Sequence, residues 1–162
     1  MKKFIALFAL MVITLASYAQ VYKMYNTRNY HNQLRLNTMT GEVQQIQDDG
    51  QSWIVCSARE ISGDKESRFR LYETQNMWTF ILLDSYNGRL WQVQYSAQDL
   101  DNLFCIPINK YELVSDNENC RFSIQPLTSM YQYYLINDRT GDMWKFQWST
   151  KGDDYRWIEK FK

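Results

Sequence analysis

The sequence predicts an all-β protein of three tandem repeats, each of about four antiparallel strands. Three observations carry that expectation. Tyr, Trp, Phe and Thr recur in short runs separated by Gly, Asn and Asp, and only two prolines interrupt them. Gly41, Gly88 and Gly141 align the chain on itself without a gap from Val21 to Gln47, Arg68 to Gln94 and Arg121 to Gln147. Within each copy, apolar residues recur two apart, the period of a half-buried strand.

The first nineteen residues stand outside this pattern. Lys2 and Lys3 precede an apolar run from Phe4 to Ala16, and Ser17-Tyr18-Ala19 is a small-x-small cleavage pattern. The run is too short to span a bilayer, which needs about 20 apolar residues, so a buried first helix is the weaker alternative to a signal peptide. The shape resembles bacterial secretion signals. The expectation is therefore residues 1–19 as a leader cleaved after Ala19, a periplasmic or secreted mature protein, and residues 20–162 as one domain. Its repeats are expected at about 21–60, 67–110 and 120–162. Without the leader, acidic residues slightly outnumber basic ones. No basic stripe suits nucleic acid, and no polybasic segment suits an anionic membrane.

Matched positions justify each strand in order. The opening strand carries Tyr22, Phe69 or Phe122, then Met24, Leu71 or Ile124 two residues on. The second carries Leu34, Ile81 or Tyr134, then Leu36, Leu83 or Ile136, and ends at Asn37, Asp84 or Asn137. An Asp or Asn there accepts a backbone hydrogen bond inside the turn. The glycine four residues later supplies the left-handed residue of a type I turn with a G1 bulge. The third strand carries Val43, Leu90 or Met143, then Gln44, Trp91 or Trp144, then Ile46, Val93 or Phe146, and closes on Gln47, Gln94 or Gln147. An acidic loop and a short fourth strand follow: Trp53-Ile54-Val55, Phe104-Cys105-Ile106 and Tyr155-Arg156-Trp157-Ile158. Glu60 to Glu66 and Asn109 to Asn119 read as linkers.

Of the three cysteines, Cys105 and Cys120 flank one strand–loop–strand connection. They are the expected disulfide in an oxidising compartment, with three buried thiols as the alternative.

The run Leu83-Asp84-Ser85-Tyr86-Asn87-Gly88-Arg89-Leu90-Trp91, with Thr140-Gly141 and Trp144 in the third copy, resembles the tryptophan-docking motif of quinoprotein-like β-propellers. The resemblance covers about ten residues per repeat; Trp follows Gly by three positions rather than four, and copy one has Gln44 instead. It implies a propeller-like arrangement of three sheets, with no residues matching the family's quinone sites and no cofactor expected. A β-trefoil, which also has three four-stranded units, is the alternative. Three repeats fall short of the four to eight that close a propeller, so an open ring is expected to favour self-association.

For chemistry, His31 is the only histidine and no Cys-x-x-Cys occurs, so neither a metal site nor a catalytic His pairing is indicated. The paired acids Asp48/Asp49, Asp99/Asp101 and Asp153/Asp154 fall short of calcium-loop spacing and suit turns. The telling feature is where the copies disagree. His31 fills the slot of Trp78 and Tyr131, Gln33 and Arg35 replace Phe80 and Leu82 or Tyr133 and Leu135, and Gln44 replaces Trp91 and Trp144. Copies two and three are thus apolar on both faces, as in sheets packed on both sides, and copy one is polar on one. His31, Gln33, Arg35 and Gln44 are the candidate ligand-binding residues. The expected function is a non-catalytic binding or interaction module for a glycan or envelope component. An accessory subunit for a protein partner is the second reading and a glycoside hydrolase the remote third. Gln47, Gln94 and Gln147 either converge near a pseudo-threefold axis or cap backbone at strand ends.

Overall fold

In the computed structural model, which describes residues 20–97, 99–116 and 121–161, each repeat folds into its own four-stranded antiparallel sheet. The expected leader and Cys120 lie outside the described residues. Repeat one supplies β1 (Tyr22–Asn26), β2 (Asn32–Asn37), β3 (Val43–Gln47) and β4 (Ser52–Cys56). Repeat two supplies β5 (Phe69–Glu73), β6 (Thr79–Asp84), β7 (Leu90–Gln94) and β8 (Phe104–Pro107). Repeat three supplies β9 (Phe122–Pro126), β10 (Gln132–Asn137), β11 (Met143–Gln147) and β12 (Trp157–Lys160). In every sheet the strands lie side by side in chain order. A short helix, α1 (Ala58–Ile61), follows β4.

The turn chemistry is the same three times. Asn37 Oδ1 accepts from the amides of Met39 and Thr40, Asp84 Oδ1 from Tyr86, and Asn137 Oδ1 from Arg139 and Thr140. Gly41, Gly88 and Gly141 follow at φ of +79°, +77° and +75°, which a residue with a Cβ adopts only at a cost. Asp84 stands where the other copies have Asn because Arg68 is buried beside it. The guanidinium donates to Asp84 Oδ2 at 2.8 Å and reaches Asp116 at 2.7 Å. Burial pushes the Asp84 carboxyl up, and Arg68 opposes that shift.

Strand alternation gives each sheet two faces, and the sheets pack in series. One face of sheet one, with Leu34, Leu36 and Val43, meets the face of sheet two that carries Phe80, Leu82, Trp91 and Val93. The opposite face of sheet two, with Ile81, Leu83 and Leu90, meets Tyr133, Leu135, Trp144 and Phe146 of sheet three. Hence all six residues of β6 are buried, and each aliphatic side chain buried there contributes on the order of 1.5–3 kcal/mol. Trp91 and Trp144 are packing residues, 3% and 6% exposed.

Both junctions also repeat their polar contacts. Thr38 O accepts from Phe69 N at 2.9 Å, and its counterpart Ser85 O accepts from Phe122 N at 2.8 Å. Gln45, fully buried, accepts from Ser96 N at 3.2 Å and donates to Ser96 O at 2.6 Å. Its counterpart Gln92 accepts from Ser149 N at 3.2 Å.

Two expectations are corrected. Cys105 is bonded to Cys56, not Cys120, with Cα atoms 5.2 Å apart. The reason is tertiary. Cys56 ends β4 on the inner face of sheet one and Cys105 lies on the facing side of β8, so the bridge crosses the junction between repeats. Second, among the described residues sheet three is covered on one face only. Its other face, with Tyr134, Ile136 and Met143, is half-buried at the end of the series.

Candidate functional site

One position just before the second strand and one just after the third are brought together in every repeat. The backbone does this: Asp48 N donates to His31 O, Tyr95 N to Trp78 O and Trp148 N to Tyr131 O, at 3.0, 3.1 and 3.1 Å. In repeats two and three the side chains form aromatic pairs. The Trp78 and Tyr95 rings lie 5.3 Å apart and those of Tyr131 and Trp148 4.9 Å apart, both tilted. In repeat one the pair is polar, with His31 Nδ1 2.5 Å from Asp48 Oδ2 and the Tyr30 ring tilted against the imidazole with centroids 3.9 Å apart. The hydrogen bond from His31 holds the exposed Asp48 carboxyl below its ordinary range.

Beside each pair opens a cleft, edged by the glutamine that ends the third strand. The cleft of repeat two encloses about 630 Å³, against about 200 Å³ in repeat three and 150 Å³ in repeat one. Only the first falls in the range of about 300–1,000 Å³ typical of small-ligand sites. Its half-buried aromatic is Trp78, and polar groups enter from Asn29, Gln94, Ser96, Asp99 and Asn102.

Those groups are held in place. Asp99 accepts from Asp101 N at 3.0 Å and Asn102 Nδ2 at 2.7 Å, capping the 3₁₀ turn Leu100–Asn102. Gln94 Nε2 donates to Asn102 O at 3.3 Å, tying strand to turn. Asn29 comes from repeat one, on a loop that Arg28 fastens to the carbonyls of Thr74 and Gln75. Tyr95, the floor aromatic, is 1% exposed, and burial pushes its phenol up. The cleft is thus built at the junction between repeats one and two, from an indole surface, amides, a hydroxyl and a carboxylate.

The four residues singled out by sequence are split. His31 and Gln33 border the small cleft of repeat one. Arg35 and Gln44 sit directly opposite each other on the outer face of sheet one, hydrogen-bonded together, with Arg35 also over the Tyr22 ring at 5.3 Å. Gln47, Gln94 and Gln147 donate to backbone oxygens of Ala97, Asn102 and Tyr155, so they tie strand ends to loops. Sequence reasoning passed over Trp78, Gln94, Asp99, Asn102 and Asn29 as a set. The usable signal was the slot after each third-strand glutamine, Asp48, Tyr95 or Trp148, which changes from polar to aromatic in step with His31, Trp78 and Tyr131. Asn29 had no such signal, because it reaches this cleft from another repeat.

Among the described residues no group of three or more His, Cys, Asp or Glu side chains is placed to hold a metal ion, and no helix is long and apolar enough to cross a membrane. The chain matches no family model, no curated protein and no solved structure.

Proposed function

We propose that the protein is an exported, non-catalytic binding module whose ligand is a glycan of the envelope or surroundings, taken up in the Trp78 cleft. The observation that carries this reading is the cleft itself: a partly exposed indole beside carboxylate, amide and hydroxyl groups, in a volume suited to one or two sugar rings. A sugar presents an apolar C–H face and a rim of hydroxyls. The indole accepts the first and the groups of Gln94, Asp99 and Asn102 the second, each hydrogen bond adding on the order of 1 kcal/mol. Export rests on the leader-like residues 1–19 and is supported by the Cys56–Cys105 bridge, a bond that persists in oxidising compartments.

The three sheets are further proposed to be consecutive blades of a propeller-like fold. What supports this over a trefoil is that strands pair only within their own repeat and the sheets pack face on face in series. A trefoil instead shares strands from its three units in one barrel.

A glycan array probed with the purified protein and with Trp78→Ala tests the function. Binding to a defined glycan that falls at least tenfold in Trp78→Ala, with the variant shown by its melting to be folded at the assay temperature, is expected. Absence of binding across the array, or binding indifferent to Trp78, refutes it, and an envelope pull-down then takes up the protein-partner reading.

A further inference from the structure

The two junctions inside the chain are copies of one another, and a third is left unmade. Position by position, Ile81, Leu83 and Leu90 repeat Leu34, Leu36 and Val43, while Tyr133, Leu135 and Trp144 repeat Phe80, Leu82 and Trp91. The same type of face therefore meets the same type of partner twice. Tyr134, Ile136 and Met143 repeat the first set on the uncovered face of sheet three. The uncovered face of sheet one carries the counterparts of the second set, and there Tyr22, Met24 and Ile54 stand 51%, 51% and 58% exposed.

We infer that these two ends belong together: two copies associate head to tail, each sheet three packing on the partner's sheet one, and close a ring of six sheets. The inference rests on the propeller-like reading of the fold. Six blades fall within the range that closes a propeller, and a head-to-tail contact between two copies makes two identical junctions about a twofold axis.

The polar contacts point to a second copy of this chain rather than an unrelated partner. The clasp Gln45–Ser96 recurs as Gln92–Ser149, and its third instance falls on Lys145 and Asp49, which no single chain brings together in this way. Where the inner junctions use neutral groups, the outer one offers a cation on one end and a carboxylate on the other. The backbone bond Thr38 O to Phe69 N, repeated as Ser85 O to Phe122 N, falls third on Asp138 O and Tyr22 N. Arg35, Gln33 and Gln44 make this junction more polar than the inner two, so it is weaker and reversible. It also lacks a counterpart of the Cys56–Cys105 bridge, which spans the first junction.

Light scattering on the purified protein across 1–100 µM tests the pairing. A mass of twice the monomer at the upper end is expected, with Ile136→Glu monomeric throughout. Lys145→Glu and Asp49→Lys are each expected to shift dimerisation at least tenfold to higher concentration. Asp49 is exposed, with its carboxylate accepting from Gln51 N and Nε2, and Lys145 is half-buried, so each variant is first shown by its melting to be folded at the assay temperature. An equimolar mixture of these two variants is expected to dimerise again, because each of its two junctions then joins opposite charges. A monomeric wild type overturns the pairing and leaves the polar face of sheet one as a solubilising cap. A ladder of larger species overturns ring closure, and a mixture that stays monomeric overturns the head-to-tail register. Small-angle scattering from monomeric Ile136→Glu reads the arrangement of the three sheets separately. A mismatch there removes the propeller-like reading, whereas a match with a monomeric wild type removes the pairing alone.

Discussion

Three glycines with nearly the same φ, in three equivalent turns, separate backbone strain from packing. Gly41, Gly88 and Gly141 all lie between +75° and +79°, so replacing any of them with alanine costs the same left-handed penalty, about 1–2 kcal/mol. Their surroundings differ. A methyl group added at Gly141 meets no atom within 4 Å. At Gly88 it comes within 3.0 Å of Leu113 Cδ1 and 3.2 Å of the Phe122 ring, contacts that a flexible leucine can partly relieve. At Gly41 it lands 3.1 Å from the Phe69 ring and inside the radius of Ile61 Cγ2, beneath α1. Overpacking a core adds about 1–3 kcal/mol. The expected losses are therefore about 1–2 kcal/mol for Gly141→Ala, about 2–3 for Gly88→Ala and about 3–5 for Gly41→Ala. Urea unfolding followed by tryptophan fluorescence, with the disulfide intact, gives the three values from shifts in midpoint at constant slope. Gly141→Asn, which tolerates positive φ, is expected to lose less than Gly141→Ala. Equal losses at positions 41 and 141 would refute the reasoning, since packing would then contribute nothing.

Breaking the inter-repeat bridge with Cys56→Ser and Cys105→Ser together is expected to cost about 3–4 kcal/mol, from the entropy of a loop closed over 49 residues; unfolding with and without reductant checks it. Gln45→Leu removes bonds to Asn32 and to both backbone groups of Ser96, and is expected to cost about 2–4 kcal/mol. Gln92→Leu is expected to cost less, about 1–2 kcal/mol, because it removes the one bond that Gln92 Oε1 accepts from Ser149 N, while among the described residues the buried Nε2 has no hydrogen-bond partner to lose; the same unfolding assay ranks the two. The Asp48 carboxyl is held down by His31, so the stability it lends is complete above its unfolded value near 3.9 and is lost as pH falls through the lower folded one. An NMR titration is expected to show the Asp48 midpoint rising in His31→Ala, and an unmoved midpoint would break the pairing.

Much of the fold was legible because it is local. The Asn or Asp and Gly of each turn act through bonds and dihedrals within five residues, and the strand period places Leu34 with Leu36 and Ile81 with Leu83 without reference to the rest of the chain. The polar face of copy one was also readable, since Gln33 and Arg35 stand where Phe80 and Leu82 do. The candidate site was not. Three of the four residues chosen because the copies disagree replace residues buried at a junction, so the disagreement at Gln33, Arg35 and Gln44 marks the end of the series. The wider cleft sits at Trp78, where two copies agree on an aromatic and repeat one contributes Asn29.

The sequence alone determined the three hairpins, their turns and the sets of residues sharing each face, because alternation and turn chemistry depend only on near neighbours. Tertiary structure decided which face meets which, and with it everything made from two repeats at once. The Cys56–Cys105 bond, the Gln45–Ser96 clasp and the Trp78 cleft all join groups about 50 residues apart. Nothing in local spacing selects such partners; the stacking of one sheet on the next does.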